Sequence, residues 1–504
     1  MQDEEKNLKE YSPKTNAFKT LIDKIYIHRM PSYGNKIFFS LGFLALTCLT
    51  VLVATGIVLA FMGQTWWLTN PWGIYFRSVH LWTVQAFFVI LILHIIVGFS
   101  TSGFRPPRRM VWVFGAIIFA LVLIQTEFGY GLRGDFSSQY RAVAGADFWN
   151  GAHLGYWLNP LNYSQAFAIH VVIIPLAILF LFVLHYILVH TYGISKPLRK
   201  DIPYKEVPAN HNILFIRGGV LVVAILVLAL FFHSPYVPAV RIANIANQNP
   251  TLVATTMLQE FNHTSGTATY FDSIDPYTFN TRSVFVVTPY KQFLIHNQNN
   301  NAWTTFVNAS PAQQKAYIQQ AKSYVTATST NNVGTSTNAV ASTTNPVISM
   351  IHTLMPIAKS GLYQSLLNQE NQNSNYTYTL RFLLDMNVLH DKAASLHMDT
   401  AEYGMAKDEN EAHGIWVLPP GSWWLLPLGW SNSAFNLLEN PYGDQIAGEI
   451  LGALLLIFIL FPYIPYLNRL PELLPLAPII QKEPKEKERG EEKEPDKKEN
   501  EEIH

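Results

Sequence analysis

Residues 77–99 read RSVHLWTVQAFFVILILHIIVGF, an apolar run with one charge at its start and two histidines within it. Hydrocarbon offers a backbone no hydrogen-bond partners, so a run of this length crosses a bilayer only as an α-helix. His80 and His94 are fourteen residues apart. On a helix that is close to four turns, so both imidazoles face nearly the same way, roughly 21 Å apart. A polar ring in lipid is unfavourable unless something binds it. Two such rings on one face, near opposite leaflets, point to two stacked ligands.

The rest of the chain is consistent with a membrane protein. Of 504 residues, 49% are hydrophobic and only 14% charged, which is apolar-rich for a soluble protein. The net charge is zero, so no global field points to nucleic acid. Cys48 is the only cysteine. That excludes a disulfide framework, a c-type haem box and a cysteine-ligated iron–sulfur cluster, and any redox centre must use histidine. The first 35 residues are charged and lack the short apolar core of a cleavable signal.

Six segments are predicted to span: about 37–62, 75–99, 110–131, 163–189, 211–232 and 446–467. The second-to-third loop carries Arg105, Arg108 and Arg109; the fourth-to-fifth carries Lys196, Arg199, Lys200 and Lys205. By the positive-inside rule these loops and both termini are cytoplasmic, which implies a multi-pass plasma-membrane protein. The expected organisation is a cytoplasmic segment 1–36, a five-span core 37–235, an extracytoplasmic insertion 236–412, an interfacial segment 413–443, a sixth span within 444–470 and a charged tail 471–504. The insertion is rich in Ser, Thr, Asn and Gln, with glycosylation sequons at Asn262, Asn308 and Asn375; Asn162 in the third-to-fourth loop is a further one. Its stretches 312–325 and 347–367 are amphipathic and predicted helical. Residues 414–438 are uncharged and Trp-rich but broken by Pro419, Pro420, Gly421 and Pro427, which favours a re-entrant or interfacial segment over a seventh span.

The fourth span repeats the theme of the second. His170 and His185 are fifteen residues apart, four turns plus about 60°, and a distortion at Pro175 could absorb the offset. The two spans run the same way, so His80 pairs with His170 and His94 with His185. Each pair can supply two axial ligands to one haem iron, an arrangement that favours electron transfer over oxygen chemistry. The first and third spans add glycines at the same period, Gly42 with Gly56 and Gly115 with Gly129, where small residues let a flat macrocycle approach the backbone.

With these residues in view, the chain resembles cytochrome b of the quinol-oxidising bc and bf complexes. The matching features are the glycine pairs, the RSVH start of the second span, the paired histidines, Gly129-Tyr130 at the end of the third span and HTYGISKP after the fourth. The resemblance covers about 37–235 well and 414–475 loosely, and the tail suggests an archaeal branch. It implies an all-α di-haem four-helix bundle with two further spans and a large outer insertion. It also implies an outer haem on His80 and His170, an inner haem on His94 and His185, and Arg77 beside the outer haem's propionates. His190 matches a histidine of the family's inner quinone site, and Arg217 is a further candidate there. Implied partners are quinol, a Rieske iron–sulfur protein, other respiratory subunits and membrane lipid.

The outer quinol site departs from the family. Its Pro-Glu-Trp-Tyr motif corresponds to PPGSWWLL here, with Ser422 and Trp423 in place of the acid and its neighbour. Serine is no proton acceptor near neutral pH. Glu127 and Glu449, carboxylates within spans, are candidate replacements. Two alternatives remain open at this level: a cytochrome b-like subunit of a terminal quinol oxidase supercomplex with A-type haems, and a haem-free transporter or scaffold.

Overall fold

The structure is a computed structural model. It describes residues 29–197, 204–265, 280–294, 302–329, 344–370, 386–398, 418–437, 443–473 and 476–482, apart from positions 153, 156, 161 and 397. Among the described residues six helices are long and apolar enough to cross a membrane, and the chain is a multi-pass helical membrane protein. They are α1 (Ile37–Met62), α2 (Pro71–Ser100), α3 (Arg109–Gly131), then, after the shorter helix α4 (Phe136–Gly151), α5 (Tyr163–Tyr192), α6 (His211–Phe231) and, after a long insertion, α7 (Gly443–Leu460).

Local chemistry sets the ends. Gly63, at φ 79°, stops α1. Asn70 accepts a bond from Trp72 N with Pro71 at the first helical position, which starts α2. Asn162 accepts from Gln165 N at the start of α5, and Asn210 from Ile213 N at the start of α6. The helical part of α7 ends at Leu460 and a 3₁₀ turn, Phe461–Tyr463, follows, so the last span is shorter than expected because Pro462 interrupts the helix. Residues Leu426–Leu437 form a helix of 12 residues after the 3₁₀ turn Trp423–Leu425. Among the described residues that helix is too short to cross lipid by itself.

In α2 half of the most apolar window is buried inside the protein, against 17–28% in the other spans. So α2 lies at the centre: α1 and α6 pack against it, while α3 pairs with α5. The apolar cluster between them includes Cys48, Phe88, Phe128 and Ile178, and Phe88 stacks on Trp424 with centroids 4.0 Å apart.

The fifteen-residue spacing on α5 is absorbed just before Pro175. Ile169–Ile173 forms a π-type turn. Such a turn takes more residues per revolution than an α-helix and so takes up the extra one.

One end of the bundle is basic. There β1 (Arg29–Pro31) pairs antiparallel with β2 (Glu206–Pro208). Tyr33 donates to Ser195 O (2.8 Å), Ser195 Oγ donates to Thr101 Oγ1 (3.0 Å), and Gln481 donates to Lys196 O (3.2 Å). The segment before α1, both basic loops and residues 476–482 therefore meet at the same end, as the charge pattern requires.

The far end carries a domain, helical among the described residues, with its own core including Met257, Phe261, Phe285, Leu354 and Tyr363. Its two anticipated helices appear as Pro311–Ser329 and as Pro346–Ser360 followed by Leu362–Glu370, broken at Gly361 (φ 84°). Pro250–Phe261 and the run Arg282–Leu294 were not anticipated. The domain is not confined to the insertion, because Phe136 and Ala142 of α4 belong to its core.

His352 lies in that domain, its Nε2 3.0 Å from the Tyr324 hydroxyl. Burial lowers its pKa below the ordinary 6.5, so its neutral form stabilises the domain above that pH, and the contribution is lost as pH falls below it. His352→Gln should make amide exchange across 346–360 less sensitive to a drop from pH 7 to pH 5. Equal acid sensitivity in the variant would count against this.

Candidate functional site

Each of the four spaced glycines faces one of the four histidines. A Cβ built on Gly56 would lie 3.5 Å from His80 Cε1, and one on Gly42 3.3 Å from His94 Cε1. On the other helix pair, a Cβ on Gly129 would lie 2.5 Å from His170 Cε1 and one on Gly115 3.1 Å from His185 Cε1. The glycines were expected to make room for a macrocycle; what they admit directly is the imidazole ring itself. The histidines of the two pairs also approach each other. His80 and His170 are close enough to interact electrostatically, and so are His94 and His185.

Three of the rings are held by their Nδ1 atoms. His170 Nδ1 lies 2.7 Å from Gln125 O, and His185 Nδ1 2.9 Å from Val111 O. A carbonyl only accepts, so both rings carry the proton on Nδ1. His80 Nδ1 lies 2.8 Å from Thr55 Oγ1, whose own proton is directed to Val51 O at 2.7 Å, so the hydroxyl accepts here too. This leaves each Nε2 as a lone pair, the state in which imidazole binds metal. Sequence reasoning did not identify Thr55, Gln125 or the Val111 carbonyl. Thr55 next to Gly56 was the one visible signal; a carbonyl partner leaves none.

Two cations flank the pairs. Arg77 donates to Ser234 O (2.9 Å) and Pro235 O (3.2 Å) and sits over the Tyr236 ring. Arg108, read from sequence only as loop charge, donates through Nε to Gly103 O (2.9 Å) and reaches both His94 and His185 electrostatically. Its Nη1 is buried without a hydrogen-bond partner, and burial lowers the pKa of the guanidinium. A buried unpaired guanidinium nitrogen beside two imidazole rings fits a group that brings carboxylates, as haem does.

At the far end, Glu127 accepts from Trp149 Nε1 at 2.9 Å, and Ser422 is fully buried and accepts from Arg141 Nη1 at 3.0 Å. Trp423 Nε1 donates to Gln85 Oε1 (2.8 Å), while Gln85 Nε2 holds Pro420 O (2.8 Å). Glu449, the second candidate carboxylate within a span, is exposed on α7, on a different face from Gly448, which meets Phe148. At the basic end His190 is exposed, its ring near Tyr186. Arg217 donates to Asn35 O (3.0 Å) and to Ser40 Oγ, and among the described residues no hydrogen bond links it to His190. Asn262 and Asn308 are exposed, whereas Asn162 is occupied as a helix cap. Asn375 lies outside the described residues.

The family model described as cytochrome b (N-terminal)/b6/petB matches residues 85–243. The chain is 31% identical over 193 residues to cytochrome b6 of Heliomicrobium gestii, covering 34% of this chain and 91% of that protein. The chain belongs to the cytochrome b/b6 family. Cytochrome b6 of Heliobacterium modesticaldum (strain ATCC 51547 / Ice1) is 30% identical over the same shares of both chains. A solved structure titled Hyperthermophilic respiratory Complex III is 17% identical, with 70% of this chain and 98% of that chain covered at a TM-score of 0.35. That likeness is too weak to bear on fold or function. Membership of the cytochrome b family implies haem as cofactor and interaction with quinone.

The glycine contacts rank the consequences of filling them. Gly129→Ala must displace the His170 ring and should lower the haem-to-protein ratio of the purified protein. Gly56→Ala meets only ordinary contact distance and should leave that ratio near wild type.

Proposed function

We propose that this chain is the di-haem, electron-carrying subunit of a membrane quinol-oxidising complex. The observation that carries this reading is the four-fold apposition of glycine and imidazole at two levels of the bundle, with three rings oriented through Nδ1. His80 and His170 would hold the outer haem, His94 and His185 the inner one. Bound there, the two haems would supply one-electron transfer between the two faces of the membrane. A pair of histidines at each level would favour electron transfer over oxygen chemistry at the haem it would hold. Arg108 would meet carboxylates of the inner group, and Arg77, three residues before His80 on α2, would serve the outer one.

The basic end is the cytoplasmic one by the positive-inside rule, which leaves the helical domain outside the plasma membrane. The segment entering α1 and residues 476–482 meet at that end, which supports two cytoplasmic termini.

Quinol oxidation releases protons, so the outer site needs an acceptor. Glu127 supports that role: it is a carboxylate at the far end of α3 with one oxygen fixed by Trp149. His190 and Arg217 are the residues at the basic end for an inner quinone. The second electron needs a partner, and a chain with one buried cysteine cannot itself supply an iron–sulfur cluster, so a Rieske-type protein fits that place.

Pyridine haemochrome analysis of the purified chain should give two haems per polypeptide, with the band position distinguishing b-type from A-type. One haem, or none, would overturn the di-haem reading. In the intact complex, Glu127→Gln should slow quinol oxidation at least about 100-fold, the usual effect of losing a general base. Unchanged turnover would remove Glu127 from the mechanism.

A further inference from the structure

α4 is a helix with two differently engaged faces. On one, Phe136, Gln139, Tyr140 and Ala142 meet the outer domain: Phe136 and Ala142 lie in its core, and Tyr140 packs against it. Gln139 exchanges two bonds of 2.9 Å with the backbone of Val240, donating to its carbonyl and accepting from its N–H. Phe136 N donates to Val237 O (2.9 Å). On the other face, at helical spacing, lie Ser137, Arg141, Gly145 and Trp149. A Cβ on Gly145 would collide with Glu127 Oε1, so this face lies directly against the acid.

Arg141 is the one cation on that face. Its Nε donates to Ser137 Oγ (3.2 Å) and its Nη1 to Ser422 Oγ (3.0 Å). Its guanidinium sits 4.7 Å from the centre of the Tyr130 ring on α3 and reaches Glu127 electrostatically. One planar, permanently charged group thus ties together α3, α4 and the segment that carries Ser422. Ser422 is in turn fixed through its neighbours, because Gln85 holds Pro420 O and Gly421 O.

We infer that Arg141 is a positioning residue of the outer site: it holds Ser422 and places a fixed positive charge beside Glu127, and the outer domain keeps it there by gripping the opposite face of α4. The inference rests on the reading of Glu127 as the outer proton acceptor. A cation fixed beside Glu127 favours the ionised carboxylate, the form able to accept a proton, and the fold holds it there without reorganisation, so its effect falls on turnover rather than on substrate binding.

The test is a double-mutant cycle in the intact complex, with Glu127→Gln, Arg141→Gln and the double variant, plus Arg141→Lys. Steady-state quinol oxidation is measured for each, and the reduced-minus-oxidised haem spectrum monitors assembly. Arg141→Gln should lower kcat about 10- to 100-fold, as expected for one charged hydrogen bond, with KM for quinol changed less than about twofold. Arg141→Lys should recover part of the loss. The double variant should be no slower than Glu127→Gln, because a residue acting through Glu127 has nothing left to act on. Multiplying losses, or wild-type kcat in Arg141→Gln, would overturn the inference while leaving the outer-acid reading intact. Full turnover in Glu127→Gln, with Arg141 present, identifies failure of that reading and removes this inference with it. Where Arg141→Gln loses the haem spectrum, Arg141→Lys replaces it in the cycle and is read by the same criteria.

Discussion

A histidine ring lying against bare backbone is the contact on which the bundle depends. It occurs four times, on two helix pairs and at two levels, and it fixes how closely α1 approaches α2 and α3 approaches α5. At Gly129 a single added carbon would lie 2.5 Å from His170 Cε1, so helix separation and ring position cannot be set independently there. Close packing of this kind gives each ring one position, and the Nδ1 bonds then give three of them one rotation and one tautomer. Site geometry and fold are the same set of contacts.

The far end is arranged differently. It is held by long polar side chains that bridge elements: Gln85 to the 420–421 backbone, Arg141 to Ser422, Trp149 to Glu127 and Gln139 to Val240. Each bond leaves one element and ends on another, so no element there keeps its place alone. The outer domain enters this network through its core, which takes Phe136 and Ala142 from α4.

The membrane helices were legible because their signal is local. α1 runs Ile37–Met62 as the apolar run implies, bounded by Lys36 and by Gly63 in a conformation that favours glycine. The four histidines and four glycines were legible from a spacing of fourteen residues on three helices and fifteen on the fourth. Depth in the membrane could be read from position in the run, but rotation could not, so the exposed position of Glu449 on α7 was not legible. In the outer domain the helices are short and carry less periodicity. Two of them begin after an Asn-Pro pair, Asn249-Pro250 and Asn345-Pro346, in which the asparagine caps the helix; the same pair starts α2. Arg141 and Thr55 had no spacing to mark them, because their partners come from distant segments or from the neighbouring helix.

The wide turn at Ile169–Ile173 makes the two histidine-bearing helices equivalent despite their unequal counts. Measured in revolutions rather than residues, α2 and α5 present their rings at the same interval, and the additional amino acid is housed as a bulge. An ungapped superposition of α5 on a helix with the shorter repeat would therefore register only one of its two histidines. The correct correspondence opens a single-residue gap between His170 and Pro175, at the bulge.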